Sequence, residues 1–232
     1  MKQKFILFLF PLLVTSCEVL QQLEIPVSTP LSDHEIADGL KEALKVGTRN
    51  AVANLNKTNG FFLDQAVKIP FPEDVKVIEE KLRSLGLNKP VDDFIEQMNH
   101  AAEKAVTKAA PIFYQAILDM TFTDARNILK GPDNAATEYF KNKTYDQLVM
   151  TFKPDIYQVM NQMNLVDTWQ KLADTYNRLP LTRDVETDLA QYVTEKTIQG
   201  LFYKVEQEEK RIRTDPAARV TEILRRVFGS SV

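Results

Sequence analysis

The feature that most constrains this chain is a single long run of helical periodicity. It opens at Pro90 and extends to Met120. Counting about 100° per residue from Val91, the side chains of Phe94, Ile95, Met98, Ala101, Ala102, Ala105, Ala109, Ile112, Phe113, Ala116, Ile117 and Met120 fall in one apolar sector. Such a stripe demands a partner layer of the same kind. Pro111 falls opposite the sector, so a kink there is expected to bend the helix around the core with the ring towards solvent.

The same period recurs almost everywhere after Ser32. Ser32 and Glu35 form a capping-box signature, and Ile36, Leu40, Leu44, Gly47, Ala51 and Leu55 follow at helical spacing to about Asn56. Gly39, Ala43, Gly47 and Ala51 make a row of small residues on that helix, which points to a closely approaching neighbour; a dimer face is the alternative. Val67 to Phe71 reads as a short extended crossing, and Pro72 starts a helix that Gly86 stops. Thr121 with Asp124 opens a short helix ended by Gly131, and Asp133 and Thr144 are expected to cap two further short ones, with Pro154 a local break. Beyond Met163 the apolar phase jumps, which predicts a chain break between Asn164 and Asp167, with Asp167 and Gln170 forming a new capping box.

Leu179 to Asp184 reads as a loop. The following helix, to about Arg213, carries apolar residues on two sides, as a central helix would. Asp215-Pro216 is then expected to cap a last amphipathic helix that Gly229 stops. With no strand pair, βαβ unit or repeat, the expectation is all-α: one compact bundle of about ten helices over residues 31–229. Composition agrees, since seven Gly in 232 residues is about 3% against roughly 7% in average proteins.

The N-terminus carries a different signal. Lys2 and Lys4 precede an apolar stretch from Phe5 to Val14, then Thr15, Ser16 and the only Cys, Cys17. A basic start, a short apolar core and small residues describe a secretory signal peptide, too short to span a bilayer as a mature helix. Val14-Thr15-Ser16-Cys17 resembles the lipobox of bacterial lipoproteins, which implies cleavage between Ser16 and Cys17, lipidation of the Cys17 thiol and palmitate-type acylation of its new amino group. An ordinary signal peptide with an incidental Cys is the other reading. Removing residues 1–16 takes the net charge from −3 to −5, because Lys2 and Lys4 leave with them. Two acyl signals already give stable membrane attachment. Residues 17–30, with Pro26 and Pro30 and no helical period, read as a tether that extends to roughly 45 Å and averages nearer 20 Å. Glu18 follows Cys17, in place of the Asp that favours inner-membrane retention in lipoproteins of this kind, so the expected location is the periplasmic face of the outer membrane.

Motifs that carry chemistry are scarce. One Cys and two His leave little for a zinc cluster, and neither H-x-x-x-H nor E-x-x-H occurs. There is no P-loop, G-x-G-x-x-G or G-x-S-x-G. No cofactor or metal is therefore expected, and the acidic balance disfavours nucleic acid. His100 falls opposite the apolar sector and reads as solvent-facing. The polar residues with unusual placement are Asn99 and Glu103, one turn apart at the edge of the sector, and Asp119 and Asp124 at the helix junction. Glu103 with Asp124 would serve as the two carboxylates of a glycan hydrolase; a surface acid and a capping residue are the plainer readings. Glu206, Glu208, Glu209, Lys210, Arg211 and Arg213 read as a solvated helix end. Trp169 reads as core.

Several segments are similar to a known family. Met98-Asn99-His100-Ala101-Ala102-Glu103, Pro111-Ile112-Phe113, Met120 to Ala125 through Ile128-Leu129-Lys130-Gly131, Ala135 to Phe140, Gly200-Leu201-Phe202 and Asp215-Pro216-Ala217-Ala218-Arg219 resemble the bacterial domain of unknown function 4197. The resemblance implies an exported helical envelope protein and supplies no catalytic residues. Two function classes stay open: a non-enzymatic module that binds an envelope protein or an apolar ligand in a helical groove, and a carboxylate-dependent cell-wall hydrolase.

Overall fold

A computed structural model describes residues 31–72, 75–178 and 188–229. The leader, Cys17, the tether, residues 73 and 74 and the 179–184 loop lie outside the described residues; Pro72, expected to open the second helix, is not helical, and that helix begins at Lys76. The fold is all-α, with no strand among the described residues. Among the described residues there are nine α-helices, where about ten were expected for the fold: α1 (Asp33–Asn56), α2 (Lys76–Ser84), α3 (Asn88–Ala105), α4 (Ala109–Leu118), α5 (Phe122–Lys130), α6 (Ala135–Gln162), α7 (Leu165–Asn177), α8 (Leu189–Thr214) and α9 (Glu222–Gly229).

α8 is the central helix. It packs against α6 on one side and α1 on another, and also touches α3. This is why its apolar residues occupy two sides. α1 in turn carries α4, α5 and α9, while α2 and α7 pack on α3. The small-residue row of α1 explains the close approach. A Cβ on Gly39 would stand 2.4 Å from Val227 Cγ2, and one on Gly47 would touch Glu208 and Ile212. Gly200 of α8 does the same for the segment between α1 and α2, because a Cβ there would lie 2.8 Å from the Phe61 ring and 3.2 Å from Val67 Cβ.

Local chemistry sets the helix ends. Ser32 Oγ accepts from the Glu35 N–H while the Glu35 carboxylate accepts from the Ser32 N–H, the expected capping box of α1. The long stripe forms α3 and α4, joined by a 3₁₀ turn over Val106–Lys108. Pro111 is exposed, as its angle requires, but the irregularity falls ahead of it. Proline offers no N–H to the carbonyl four residues earlier and its ring crowds that carbonyl, which here belongs to Thr107, so the strain is relieved inside that turn.

Several expectations need correction. Asp215 caps only the 3₁₀ turn Pro216–Ala218, its carboxylate accepting from the Ala217 N–H at 2.9 Å, and α9 begins later, at Glu222. α6 is one helix, so Thr144 is not a cap; it is buried and its hydroxyl donates to the Phe140 carbonyl at 2.7 Å. Asp133 is not a cap either, as α6 starts after Asn134, and the helix passes through Pro154, whose side chain is exposed. The break after Met163 is present, but it sits on Asn164, whose left-handed φ of 54° turns the chain. α7 then begins at Leu165, so the box expected at Asp167 and Gln170 does not form.

Aromatic packing joins the layers. Phe71, Phe94 and Trp169 form a triangle with ring centroids 5.5–5.7 Å apart, which tie the crossing segment to α3 and α7. Trp169 is core, as expected. Phe113 meets Phe140 at 5.0 Å and Phe202 at 5.9 Å, linking α4, α6 and α8.

Candidate functional site

Asn99 and Glu103 stand one turn apart on the buried face of α3. Asn99 Oδ1 accepts from the Ile69 N–H at 2.8 Å, and its Nδ2 donates to the Ile69 and Ile95 carbonyls, both at 2.8 Å. The amide therefore pairs with both backbone groups of Ile69, as a neighbouring strand would. Glu103 receives the N–H groups of Asn59 (3.2 Å), Phe61 (3.1 Å) and Phe62 (3.4 Å). That turn has orphan donors because Asn59 adopts a φ of 62°. A carboxylate facing converging N–H groups fills an anion nest. His100, half-buried rather than solvent-facing, closes the cluster with Nε2 3.2 Å from Asn59 Oδ1. These side chains hold the segment between α1 and α2 against α3, and the bonds of Asn99 and Glu103 all go to the chain's own backbone.

Asp119 and Asp124 have other partners. Asp124 Oδ2 accepts from the Thr121 hydroxyl (2.7 Å) and N–H (3.0 Å), completing the capping box of α5. Those two bonds, the hydroxyl first, hold its carboxyl below the usual carboxylate range. Asp119 accepts from the Gln115 amide at 2.9 Å. The two pairs, Asn99 with Glu103 and Asp119 with Asp124, share no hydrogen-bond partner.

The charged end of α8 departs most from its sequence reading. Glu208 and Glu209 are buried, and the Arg213 side chain is only 12% exposed, whereas Glu206, Lys210 and Arg211 face solvent. Glu209 accepts from the N–H groups of Ala136 and Thr137 (both 2.9 Å) and from the Thr137 hydroxyl (2.8 Å), so it supplies the anion at the start of α6 that Asp133 does not. Arg213 bonds Glu209 through Nε and Nη2, and donates to the Ile128 carbonyl (2.8 Å) at the end of α5. One ion pair on α8 thus closes two other helices. Angle counting held the signal: at about 100° per residue, Glu208 and Glu209 share the sector of Leu201, Val205 and Ile212.

Concave surfaces of ligand dimensions occur among the described residues. The groove between α6, α8 and the crossing segment encloses about 720 Å³. Its walls mix acids and bases, with Tyr145 and Tyr203 each 38% exposed. The groove between α1 and α4 encloses about 560 Å³. Its apolar lining includes Val52, Ala53, Pro111 and Ile117, with Lys45, Arg49 and Tyr114 beside them. Neither Lys45 nor Arg49 is in an ion pair among the described residues; the Lys45 ammonium lies 5.9 Å from the Tyr114 ring centre.

Among the described residues, no three His, Cys, Asp or Glu side chains converge on a common point, and no helix is long and apolar enough to cross a membrane. No curated protein and no solved structure matches the chain. The model of the family described as "Protein of unknown function (DUF4197)" matches residues 30–229, nearly all of the fold, and the chain belongs to that family.

Proposed function

We propose that this chain is an exported lipoprotein, anchored through Cys17 at the periplasmic face of the outer membrane, and that it works as a non-enzymatic module binding an apolar ligand in the α1–α4 groove. The observation that carries the ligand assignment is the groove itself: a largely apolar lining of ligand size beside two cations that are in no ion pair among the described residues. An elongated acyl chain with an anionic end suits that lining, since the chain buries apolar surface and the end group meets Lys45 and Arg49. The anchor rests on the residues from Lys2 to Cys17.

A glycan hydrolase needs a carboxyl held protonated near neutral pH. Asp124 is shifted the other way, and Glu103 is occupied by three backbone N–H groups, so the binding reading has the better support. A protein partner is the second reading, favoured by the half-exposed Tyr145 and Tyr203 in the α6–α8 groove.

The test uses the purified full chain and a fluorescent long-chain fatty acid. Saturable binding is expected, and Ala53→Trp, at an exposed position over the groove, weakens it at least about tenfold with the helical circular dichroism unchanged. An unsubstituted chain that does not bind the probe, or an Ala53→Trp chain that binds equally well, overturns the assignment.

A further inference from the structure

The groove between α6 and α8 is built differently from the one between α1 and α4. α6 and α8 run antiparallel, since Glu209 near the end of α8 bonds the first turn of α6, whereas Asp188, which caps the start of α8, accepts from Lys153 in the second half of α6. Glu138, Lys141 and Tyr145 follow at three- and four-residue spacing on the α6 wall, and Glu195, Gln199, Tyr203 and Glu206 do so on the α8 wall. The space between the two rows measures about 720 Å³, with Val67, Ile198, Gly200 and Phe202 in its apolar lining.

The charges of this groove balance. Glu138, Glu195 and Glu206 stand against Lys68, Lys141 and Lys196. Among the described residues no ion pair joins its walls. Glu138 and Lys141 approach only to 4.0 Å along their own helix, and Glu195 accepts from the Gln191 amide one turn earlier at 2.6 Å. The Lys68 and Lys196 ammonium groups lie 4.4 Å and 5.8 Å from the Phe62 and Tyr192 ring centres. Tyr145, Gln199 and Tyr203 are exposed, and among the described residues their side chains are in no hydrogen bond. Both walls therefore present unused donors and acceptors to the space between them.

This lining selects against most classes of occupant. An apolar ligand would strip water from charged groups and give them no partner, which is costly. The core of a protein interface is depleted of charge, and this groove carries three carboxylates and three ammonium groups. A balanced lining gives neither an anion nor a cation an advantage. A neutral ligand rich in hydroxyl groups meets every condition, because each hydroxyl donates to a carboxylate or accepts from an ammonium or an amide. A pyranose ring also has C–H faces, which pack on the Tyr145 and Tyr203 rings while the phenol groups remain free to hydrogen-bond. We infer that the α6–α8 groove is a second binding site, separate from the α1–α4 groove, and that it takes a neutral oligosaccharide. The inference stands apart from the lipid anchor and from the apolar ligand.

The test titrates the purified full chain, by calorimetry, with uncharged tetrasaccharides of β-linked glucose and of β-linked N-acetylglucosamine. At least one is expected to bind saturably, with an affinity that changes less than about twofold between roughly 0.05 and 0.5 M salt, because screening does not act on an uncharged ligand. Tyr203→Ala and Gln199→Ala are each expected to weaken it at least about fivefold with the helical circular dichroism unchanged. Ala53→Trp, in the other groove, leaves it unchanged, so the two sites are read independently. Absence of binding to both sugars overturns the assignment, as does a steep fall of affinity with salt. Binding that either groove substitution leaves intact, or that is lost instead in the Ala53→Trp chain, overturns it as well. If neither sugar binds and a photo-crosslinking residue in place of Tyr203 captures a polypeptide in cells, the groove belongs to a protein partner and the oligosaccharide is excluded.

Discussion

Replacing Glu209 by Ala removes the group on which three helices converge. Its carboxylate is 6% exposed and takes five bonds, three from the first turn of α6 and two from Arg213. The substitution strands two backbone N–H groups and leaves a guanidinium with only the α5 carbonyls. Breaking a buried ion pair from one side costs about 3–5 kcal/mol. Because Arg213 keeps 12% of its side chain in solvent and retains the Ile128 carbonyl, the lower part of that range applies, about 3 kcal/mol. For a domain of this size that lowers the melting temperature by roughly 6–12 °C. Urea unfolding at fixed pH reads it as a lower midpoint with an unchanged slope. The Glu209→Ala/Arg213→Ala double substitution is expected to cost less than the two single costs added, by at least about 1 kcal/mol, since the second change no longer strands a charge. A Glu209→Ala cost below about 1 kcal/mol, or strict additivity, would refute the claim that this pair joins α5 and α6 to α8.

Three other outcomes follow from the same geometry. Asn99→Ala leaves both backbone groups of Ile69 unpaired and is expected to cost about 2–5 kcal/mol, with faster amide exchange confined first to residues 59–71; unchanged exchange there contradicts the clasp. Gly39→Ala drives a methyl into Val227 and is expected to cost about 1–3 kcal/mol by displacing α9, whereas Gly86→Ala meets no atom within 4 Å and acts only through its φ of +84°; comparing their unfolding midpoints separates packing from backbone strain. Asp124 has a folded-state pKa below its unfolded value of about 3.8, so its contribution is complete above that pH and is lost as pH falls towards the lower folded value. Acid titration of stability should therefore show Asp124→Asn and the unsubstituted chain converging below pH 3.8, and a difference that grows there shows that the sign is wrong.

What was legible in the sequence was local. The box at Ser32 and Glu35 and the sector from Val91 to Met120 depend on neighbours within a turn or two, and they stand as read. The break after Met163 depends on a phase jump and is also present, although the left-handed Asn164, rather than an Asp cap, makes the turn. Features set by distant partners were not legible. Thr144 has the side chain of a cap, but burial turns its hydroxyl onto the preceding turn. Glu103 looked like a surface acid because the N–H groups that claim it belong to a segment more than 40 residues earlier. Glu209 was masked by the charges around it, and only its angular company with Val205 and Ile212 marked it as buried. The α1–α4 groove needs two helices in register, which periodicity in either one does not reveal.

The most direct test of the central claim is a mass measurement on the protein extracted in mild detergent from the cells that make it. Under native conditions the account predicts a chain beginning at Cys17, carrying covalent acyl mass and retaining a non-covalent amphiphile that the Ala53→Trp chain lacks. A spectrum of the bare polypeptide, with no covalent acyl mass and no ligand difference between the two chains, would contradict it.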